Sequence, residues 1–296
     1  MFEQLGLIGC GLMGGSFALA LKRAGLVKRV VGYSKSPTTT ERARALGVID
    51  LEAPSALLAV SGADLVLLAV PVSATESSLK AIRHLLTPNT LLMDVGSTKC
   101  DVVAAAQRVL GQQANVFVPA HPVAGRELSG VEYADAALYT GQQVILTPTE
   151  HTLSGHVQRA TALWQAIGSH VKVMQAQEHD AAFAAISHLP HLLAFALMQA
   201  ILSQPQGTNF LSVAGPGFRD FSRIAASDPT MWTDILLANR EQLLIQSRQF
   251  QRSLQALEAM IASGNAQALH NFIRQASQAR QQWRMGPADT PNAQSS

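Results

Sequence analysis

The sequence predicts an α/β fold, with a doubly wound parallel sheet in the N-terminal part and an all-α domain in the C-terminal part. Up to residue 174, short runs of Val, Leu and Ile alternate with helical patterns, as expected when crossover helices cover a parallel sheet. From residue 175 onward the chain has helical periodicity only. We therefore predict domains at residues 1–174 and 175–285, followed by a disordered tail at 286–296 that is rich in Pro, Ala, Asn and Ser.

Seven short apolar runs are the candidate strands. Most contain Val, Leu or Ile throughout instead of alternating with polar residues, which is typical of strands covered on both faces. Polar or glycine-containing turns precede several of them. The runs are residues 5–8, 30–33, 65–70, 91–95, 116–119, 144–146 and 171–174.

Four helices are predicted in the C-terminal part, over residues 178–203, 218–226, 230–261 and 266–283. Within the third, apolar side chains recur every three or four residues and mark one helix face. Asp228 followed by Pro229 is typical of a helix start, and Gly264 of a helix end.

Composition argues against several classes of protein. The net charge is +2 without a basic run, so nothing favours nucleic-acid binding. Charged residues make up 14% of the chain, against roughly 25% in an average soluble domain, which favours an oligomer.

The two cysteines, Cys10 and Cys100, provide neither a disulfide framework nor a metal-binding cysteine motif, which fits a reducing cytoplasm. A strand so close to Met1 leaves no room for a signal peptide, so we expect a cytoplasmic protein.

One segment has the length and apolarity of a membrane span. Residues 181–202 contain no Lys, Arg, Asp or Glu. Two histidines and Pro190 interrupt the segment, however, and no second span follows. We interpret it instead as a helix buried in a core or between subunits, without membrane contact.

A glycine motif follows the first candidate strand. Gly9, Gly11 and Gly14 form a G-x-G-x-x-G pattern between a strand and a helix, the arrangement of a Rossmann-type dinucleotide site. Gly9 allows the turn, Gly11 lets the backbone approach the pyrophosphate, and Gly14 lets the helix pack on the strand. Helix amides then attract the phosphates. The predicted cofactor contacts here are Gly9, Gly11, Leu12, Met13, Gly14, Val70 and Pro71.

The end of the second strand bears on the choice of cofactor. An NAD-binding domain usually places an acidic residue there for the ribose hydroxyls. Residues 32–36 contain no carboxylate, whereas Ser34, Lys35 and Arg42 could bind a 2′-phosphate. We therefore predict NADP as cofactor, with NAD still open if Lys35 is only a solvated loop charge.

Two polar residues follow the fourth and fifth apolar runs. Ser97 and His121 are placed where strands end in a doubly wound sheet, the edge at which ligands bind. A histidine there can accept a hydroxyl proton while hydride leaves the same carbon, and a serine can hold the substrate oxygen. Alternatively, Ser97 caps the following helix and His121 is a core histidine.

The C-terminal part contributes two further groups. His188 and His191 share a helix face, but no other His or Cys stands at ligand spacing, so no metal is predicted. Pro190 between them suggests a kink that directs side chains into a cleft. Arg223, one turn after Arg219, suits a carboxylate because a guanidinium can donate two parallel hydrogen bonds.

Five segments, in this order, are similar to those of the prephenate and arogenate dehydrogenase family of tyrosine biosynthesis. They are residues 9–14, 96–99, 121–125, 187–191 and 218–223. The resemblance implies a nucleotide-binding domain followed by a helical dimerisation domain, and thus a homodimer formed by the C-terminal helices. It also implies oxidative decarboxylation of a cyclohexadienol without a metal.

The same resemblance implies roles for individual residues. His121 would accept the ring hydroxyl proton, Ser97 would hydrogen-bond that hydroxyl, and Arg223 would hold a carboxylate. His191 would face the side chain of the substrate, which favours prephenate, with arogenate as an alternative substrate. Inhibition by tyrosine stays open. The residues expected to line the pocket are Ser187, His188, Gly217 and Trp232.

Arg126 departs from the family pattern, and two other classes of protein share features of this sequence. Arg126 stands where many relatives carry Thr, and it adds a cation near the mouth of the site. β-Hydroxyacid dehydrogenases share the glycine loop and a helical second domain, but they use a catalytic lysine, which residues 178–203 lack. A sensing or scaffold protein with a vestigial pocket would not need His121, Ser97 and Arg223 together.

Overall fold

The structure is a computed structural model that describes residues 1–125 and 128–284. Arg126 and the tail predicted at residues 286–296 therefore lie outside the described residues. The strands are Phe2–Ile8 (β1), Val27–Tyr33 (β2), Leu51–Glu52 (β3), Leu65–Leu68 (β4), Leu91–Asp94 (β5), Phe117–Val118 (β6), Ala120–Pro122 (β7), Gln143–Leu146 (β8) and His170–Val173 (β9).

A six-stranded parallel sheet forms the centre of the N-terminal part. Its strand order is β3-β2-β1-β4-β5-β6, the doubly wound arrangement that the sequence predicts. The strand order reverses between β1 and β4, and doubly wound sheets bind ligands at the carboxyl ends of the strands at such a point. β4, β5 and most of β1 are buried on both faces, which explains their largely apolar sequences.

The prediction of a single sheet is wrong for the last strands. β7, β8 and β9 form a separate three-stranded sheet, in which β7 pairs antiparallel with β8 and β8 pairs parallel with β9. Pro119 separates β6 from β7, and the chain changes sheet at this residue. His121 consequently lies inside β7 and not at the end of a strand of the central sheet.

Helices occur in both parts of the chain. Those in the N-terminal part are Leu12–Arg23 (α1), Pro37–Ala45 (α2), Ala56–Val60 (α3), Thr75–Ile82 (α4), Cys100–Leu110 (α5) and Ser154–Ala166 (α6). Those in the C-terminal part are Ala176–Phe183 (α7), Leu189–Leu202 (α8), Gly207–Ser212 (α9), Pro216–Ser222 (α10), Pro229–Ala238 (α11), Arg240–Ala262 (α12) and Ala266–Gln282 (α13). Helix α9 was not predicted.

Two predicted helices are interrupted. A π turn at Ala184–His188 separates α7 from α8, so the irregularity expected near Pro190 lies just before that residue. Asn239 separates α11 from α12, because its backbone leaves the helical conformation (φ −106°, ψ 28°). The predicted start is confirmed: the Asp228 carboxylate accepts from Met231 N at 2.7 Å. Gly264 follows the last turn of α12 with φ +62°, as predicted.

The apolar helical segment is not a core helix of this chain. Within the described residues, Ala176–Leu202 is long and apolar enough to cross a membrane, which is weak evidence when only one such helix is found. Of an apolar stretch of 18 residues within this segment, only 22% is buried inside the chain. In α8, Ala194 is the only buried residue. Of the two interpretations offered by the sequence, burial in a core is wrong, and burial between subunits stays a prediction.

Side chains from both parts of the chain meet directly. The Asp180 carboxylate accepts hydrogen bonds from Lys99 N at 2.8 Å and Cys100 N at 2.9 Å, and thereby caps α5 from the helical part. Ser73 donates to the Asp234 carboxylate on α11 at 2.5 Å. These contacts hold α7 and α11 against the carboxyl edge of the central sheet.

Candidate active site

The glycine loop has the shape that a dinucleotide requires. Gly9 has φ +98°, and a Cβ there would lie 2.1 Å from the carbonyl oxygen of Ala69. A Cβ on Gly14 would lie 2.1 Å from the Gly9 oxygen, so α1 could not approach β1 with any larger residue. A Cβ on Gly11 would meet no atom within 4 Å, which leaves an open face beside the helix amides. The loop therefore fits a dinucleotide pyrophosphate.

The other predicted contacts around this loop are in place but differ in what they present. Val70 is half-buried and its backbone N lies beside Gly9, while Pro71 is exposed. Leu12 is 8% exposed and packs in the core, so only its backbone can face a ligand. Met13 is half-buried, and its carbonyl accepts from the Tyr139 hydroxyl at 2.7 Å.

The residues predicted for the 2′-phosphate lie after β2. Ser34 is half-buried and Lys35 is exposed. Arg42, on α2, lies with Nε 3.5 Å from a carboxylate oxygen of Glu132, and both side chains are about half exposed. Arg42 therefore already has a partner, and an exposed pair of this kind is weak enough for a phosphate to compete with it.

A buried ion pair fixes the loop that carries Ser97. Lys99 Nζ lies 2.5 Å from an oxygen of Asp94 and donates to the carbonyl of Ala120 at 2.8 Å. The Asp94 carboxylate also accepts from Gly96 N and Ala120 N. Both charged side chains are almost fully buried, and such a pair is tolerated because every polar atom has a partner. The residues that precede the half-buried Ser97 and His121 thus both bind one carboxylate.

The alternative interpretation of Ser97 as a helix cap is wrong. The N-cap of α5 is Lys99, and no side chain at that position caps the helix. The carboxylate of Asp180 takes that role, as described above. Ser97 makes no side-chain hydrogen bond within the described residues, so its hydroxyl is available to a ligand.

His121 lies at the contact between the two parts of the chain. It is 8% exposed, and its Nδ1 lies 2.7 Å from Nε2 of His179. His179 Nδ1 in turn lies 2.8 Å from Oδ1 of Asp180. The ring of Phe183 packs against both imidazoles, with centroid distances of 4.6 and 4.4 Å.

Burial keeps this group of histidines neutral. Desolvation lowers the pKa of His121 well below its ordinary value, and His179, Lys99 and His188 act in the same direction. Desolvation also lowers the pKa of His179, and the hydrogen bond to Asp180 offsets only part of that effect. Burial by itself raises the pKa of Asp180. Hydrogen bonds from His179, Cys100 and Lys99 together outweigh this effect and lower the pKa below its ordinary value, so the carboxyl stays ionised.

A second group of rings continues from the same helices. His188 is 1% exposed, and its Nδ1 lies 3.1 Å from Asn239 Nδ2. Its ring lies edge-on to Trp232, on which His191 stacks with a centroid distance of 3.5 Å. His191 Nδ1 lies 2.9 Å from the carbonyl oxygen of Ser187. Four residues predicted for the substrate site are thus brought together: Ser187, His188, His191 and Trp232.

His188 carries a buried polar atom without a protein partner. Its Nε2 has no hydrogen bond within the described residues, although almost no solvent reaches it. A buried donor or acceptor of this kind costs free energy unless a ligand or water satisfies it. Desolvation first, then His179 and His191, lower the pKa of His188 to about 4, and Asp180 opposes them.

Arg223 and Gly217 lie on a neighbouring segment. Gly217 is exposed in the first turn of α10, and Arg223 is exposed at the start of the 3-10 turn that follows this helix. This turn packs against α8, the helix that carries His191. No hydrogen bond joins Gly217 to the histidine group within the described residues.

Several residues of the site were missed by the sequence reasoning. The sequence patterns assigned no role to His179 or Asp180, and they placed Asn239 inside a continuous helix. Lys99 belonged to a recognised segment, but its burial gave no local signal. No group of three or more His, Cys, Asp or Glu with metal-binding geometry occurs in the described parts of the chain.

Comparison with known families decides the relationship. Residues 17–173 match the family described as "Prephenate dehydrogenase, nucleotide-binding domain", and residues 175–275 match "Prephenate dehydrogenase, dimerization domain". The chain belongs to the prephenate dehydrogenase family. The resemblance found in the sequence is thereby confirmed.

Individual family members are similar over nearly the whole chain. The chain is 35% identical over 282 residues to a cyclohexadienyl dehydrogenase of Zymomonas mobilis, covering 95% of this chain and 96% of that protein. It is 36% identical over 278 residues to a prephenate dehydrogenase of Bacillus subtilis, covering 93% and 75%. The family consists of oxidoreductases, so this member is an enzyme of that class.

Solved structures agree. Prephenate dehydrogenase from A. aeolicus, in complex with hydroxyphenyl propionate and NAD+, superimposes with a TM-score of 0.88 at 36% identity, covering 95% of this chain and 98% of that one. Synechocystis arogenate dehydrogenase gives 0.80 at 27%, covering 95% and 100%. A 3-hydroxyisobutyrate dehydrogenase of Mycobacterium tuberculosis gives 0.54 at 17%, covering 94% of each, which shows a shared fold alone. The A. aeolicus enzyme binds NAD+, and the glycine loop of this chain fits a nicotinamide dinucleotide.

Proposed function

We propose that the protein oxidises and decarboxylates prephenate to 4-hydroxyphenylpyruvate in tyrosine biosynthesis. The observation that carries this proposal is His121, a neutral, buried imidazole held by a hydrogen bond at the contact between the nucleotide-binding part and the helical part. A base in that state can accept a proton at neutral pH. Membership of the family supports the choice of substrate.

His121 would accept the proton of the ring hydroxyl. When bound, the nicotinamide accepts hydride from the carbon that bears this hydroxyl. Ser97, on the loop tied to Asp94 through Lys99, would donate a hydrogen bond to the same oxygen and orient it toward the imidazole. Loss of the ring carboxylate as carbon dioxide then makes the ring aromatic, so no metal is needed.

Two groups from the helical part would hold the substrate. Arg223 would bind a carboxylate, and we assign its function to orientation, because tight binding of the leaving carboxylate in the ground state would slow its loss. His188 would donate a hydrogen bond from its otherwise unpartnered Nε2. Trp232, Ser187 and Gly217 would form walls of the pocket.

His191 bears on the substrate that is preferred. Its position in the family favours prephenate, whose keto side chain it would face. A second candidate function, oxidative decarboxylation of arogenate to tyrosine, is favoured by one contact. The carbonyl of Ser187 can only accept, so His191 Nδ1 donates to it. The neutral ring then presents a lone pair at Nε2, which suits an ammonium group. We therefore include dual specificity, and competition by tyrosine, in the proposal.

NADP is our first choice of cofactor. The loop after β2 offers Ser34 and the exposed Lys35 and no carboxylate that would repel a 2′-phosphate. Arg42 lies on the next helix, and its exposed pair with Glu132 is weak. NAD is the alternative, since the similar A. aeolicus enzyme is bound to NAD+.

We propose a cytoplasmic homodimer formed by the C-terminal helices, with the division between domains after residue 174. Apolar side chains exposed on these helices support it: Ile186 is 70% exposed, Leu237 61%, Ile245 53% and Ile261 64%. A monomer with so much exposed apolar surface would be unusual. Both cysteines are free, which suits a reducing compartment.

One assay tests the proposed reaction. Purified protein is given prephenate or arogenate, each with NAD or NADP, and formation of reduced nicotinamide is followed by absorbance, with and without tyrosine. We expect the highest kcat/KM with prephenate and NADP. Activity with neither substrate would refute the proposed function, and a strong preference for NAD would refute the choice of cofactor.

A further inference from the structure

Behind His121, on the side reached by Nδ1, lies a buried row of hydrogen-bonded side chains. His121 Nδ1 lies 2.7 Å from His179 Nε2, and His179 Nδ1 lies 2.8 Å from Asp180 Oδ1. His179 is fully buried and Asp180 is 3% exposed, so water does not compete for these bonds. Each atom in the row must therefore either donate or accept, and the direction can be worked out from one end.

The carboxylate of Asp180 fixes that direction. Its Oδ1 accepts from Lys99 N at 2.8 Å and its Oδ2 from Cys100 N at 2.9 Å. Two backbone donors at the start of a helix stabilise the ionised form, and the pKa of Asp180 is lowered despite its burial. An ionised carboxylate can only accept, so His179 Nδ1 carries a proton and donates it to Asp180.

His179 transmits this direction to His121. With Nδ1 protonated, a neutral His179 has its lone pair at Nε2, and burial lowers its pKa, which favours the neutral ring. The bond between Nε2 of His179 and Nδ1 of His121 therefore has His121 as the donor. His121 then carries its proton on Nδ1.

We propose that His179 and Asp180 are positioning residues that hold His121 in the tautomer with a lone pair at Nε2. The inference rests on the proposed function of His121 as the base and adds the reason why its outward nitrogen can accept a proton. In the alternative tautomer, Nε2 would carry hydrogen and could not accept one. Phe183 packs on both rings and restricts their rotation.

The protons balance without a further group. The substrate hydroxyl proton moves to Nε2 of His121, the Nδ1 proton stays in its bond to His179, and Asp180 stays ionised. The imidazolium that forms is then connected through His179 to one negative charge. This matters because Lys99 and His188 face His121 and oppose a positive charge there. Asp94, which faces His179, is already paired with Lys99.

Spectroscopy of the wild-type protein tests the tautomer directly. The protein is labelled with 15N-histidine, and long-range 1H–15N correlations distinguish a protonated Nδ1 from a protonated Nε2; the His121→Asn variant identifies the His121 signals. We expect a protonated Nδ1 at neutral pH without substrate. A protonated Nε2 in the wild-type protein would overturn the proposal, even if the enzyme oxidises prephenate as proposed.

Two variants of His179 separate positioning from packing. His179→Gln places an amide oxygen near the former Nε2 and keeps an acceptor for His121, whereas His179→Leu fills the space without one. We expect His179→Leu to lower kcat about a hundredfold with KM within about threefold, a loss typical of a misdirected base. His179→Gln should stay within about tenfold of wild type. His151 is exposed, so His151→Leu is the control, and its kcat and KM should match those of wild type.

The results for the two variants and for the wild-type protein distinguish positioning by His179 from the proposed function. Equal losses in His179→Gln and His179→Leu, or an unchanged His121 tautomer in His179→Leu, would contradict positioning by His179. If either variant fails to fold, judged by circular dichroism, the wild-type spectrum still decides the tautomer. Absence of any activity in wild type would contradict the proposed function and leave the measured tautomer valid.

Discussion

The side-chain amide of Asn239 lies 3.1 Å from Nδ1 of His188. The same NH2 group donates to the carbonyl oxygen of Asp180 at 2.8 Å, which fixes the orientation of the amide. His188 Nδ1 must then accept, and the proton of the neutral ring is on Nε2, the buried atom without a protein partner. One buried asparagine thus makes Nε2 of His188 a hydrogen-bond donor.

The neutral state of His188 makes stability depend on pH. Its pKa is lowered from 6.5 to about 4, so the unfolded chain binds this proton more readily. Stability from this group is complete above pH 6.5 and is lost as the pH falls toward 4. Between pH 7 and pH 5 we expect a loss of about 2 kcal/mol in the free energy of unfolding. Urea unfolding of wild type and His188→Gln measures it, and equal losses in both would contradict the assignment.

Substitution of His121 tests the base. His121→Asn removes the proton acceptor while keeping a polar side chain of similar size, so kcat should fall at least about a hundredfold, the low end for loss of a general base. KM should change little, because binding does not depend on this group. Steady-state kinetics with prephenate measure both, and turnover close to wild type would remove His121 from the mechanism.

Arg223 is the residue proposed to bind the substrate carboxylate, and its neighbour Arg219 provides the control. Arg223→Ala should raise KM for prephenate at least about tenfold, the effect of losing hydrogen bonds to a charged group. Arg219, one turn earlier, is 77% exposed and lies 3.3 Å from Asp220, so Arg219→Ala should leave KM nearly unchanged. The assignment is reversed if the larger increase follows from Arg219→Ala.

Lys35 tests the cofactor preference. Lys35→Ala should raise KM for NADP about fivefold, as expected for an exposed charge pair, while KM for NAD stays the same. Lys28→Ala is the control, since Lys28 lies on β2, ahead of the loop that carries Lys35, and pairs with Glu3 at 2.7 Å. Equal effects of Lys35→Ala on both cofactors would show that Lys35 does not contact a 2′-phosphate.

A charge on the exposed apolar face of the helical part tests the dimer. Ile245 is 53% exposed on α12, and Ile245→Asp should shift the protein toward monomer, because a buried unpaired carboxylate is costly. Leu58 is 50% exposed on α3, and Leu58→Asp should leave the oligomeric state unchanged. Analytical ultracentrifugation distinguishes the two, and a dimer in both variants would place the interface elsewhere.

Local sequence patterns predicted much of the fold. The glycine spacing at residues 9–14 and the apolar runs of the central strands depend on neighbours a few residues away, and both occur as predicted. The single sheet was predicted wrongly because β7 is only three residues long and pairs with β8, more than twenty residues later. Short apolar runs do not specify their partners.

The sequence by itself determined the α/β order, the phosphate loop and the presence of His121, Ser97 and the pocket histidines. Only the tertiary structure decided that His121 meets His179, that Asp180 caps α5, and that Asn239 interrupts a helix to bind His188. His121 and His179 are 58 residues apart, and His188 and Asn239 are 51 apart. Such contacts leave no periodic trace, because hydrogen bonds between distant side chains are set by how whole elements pack.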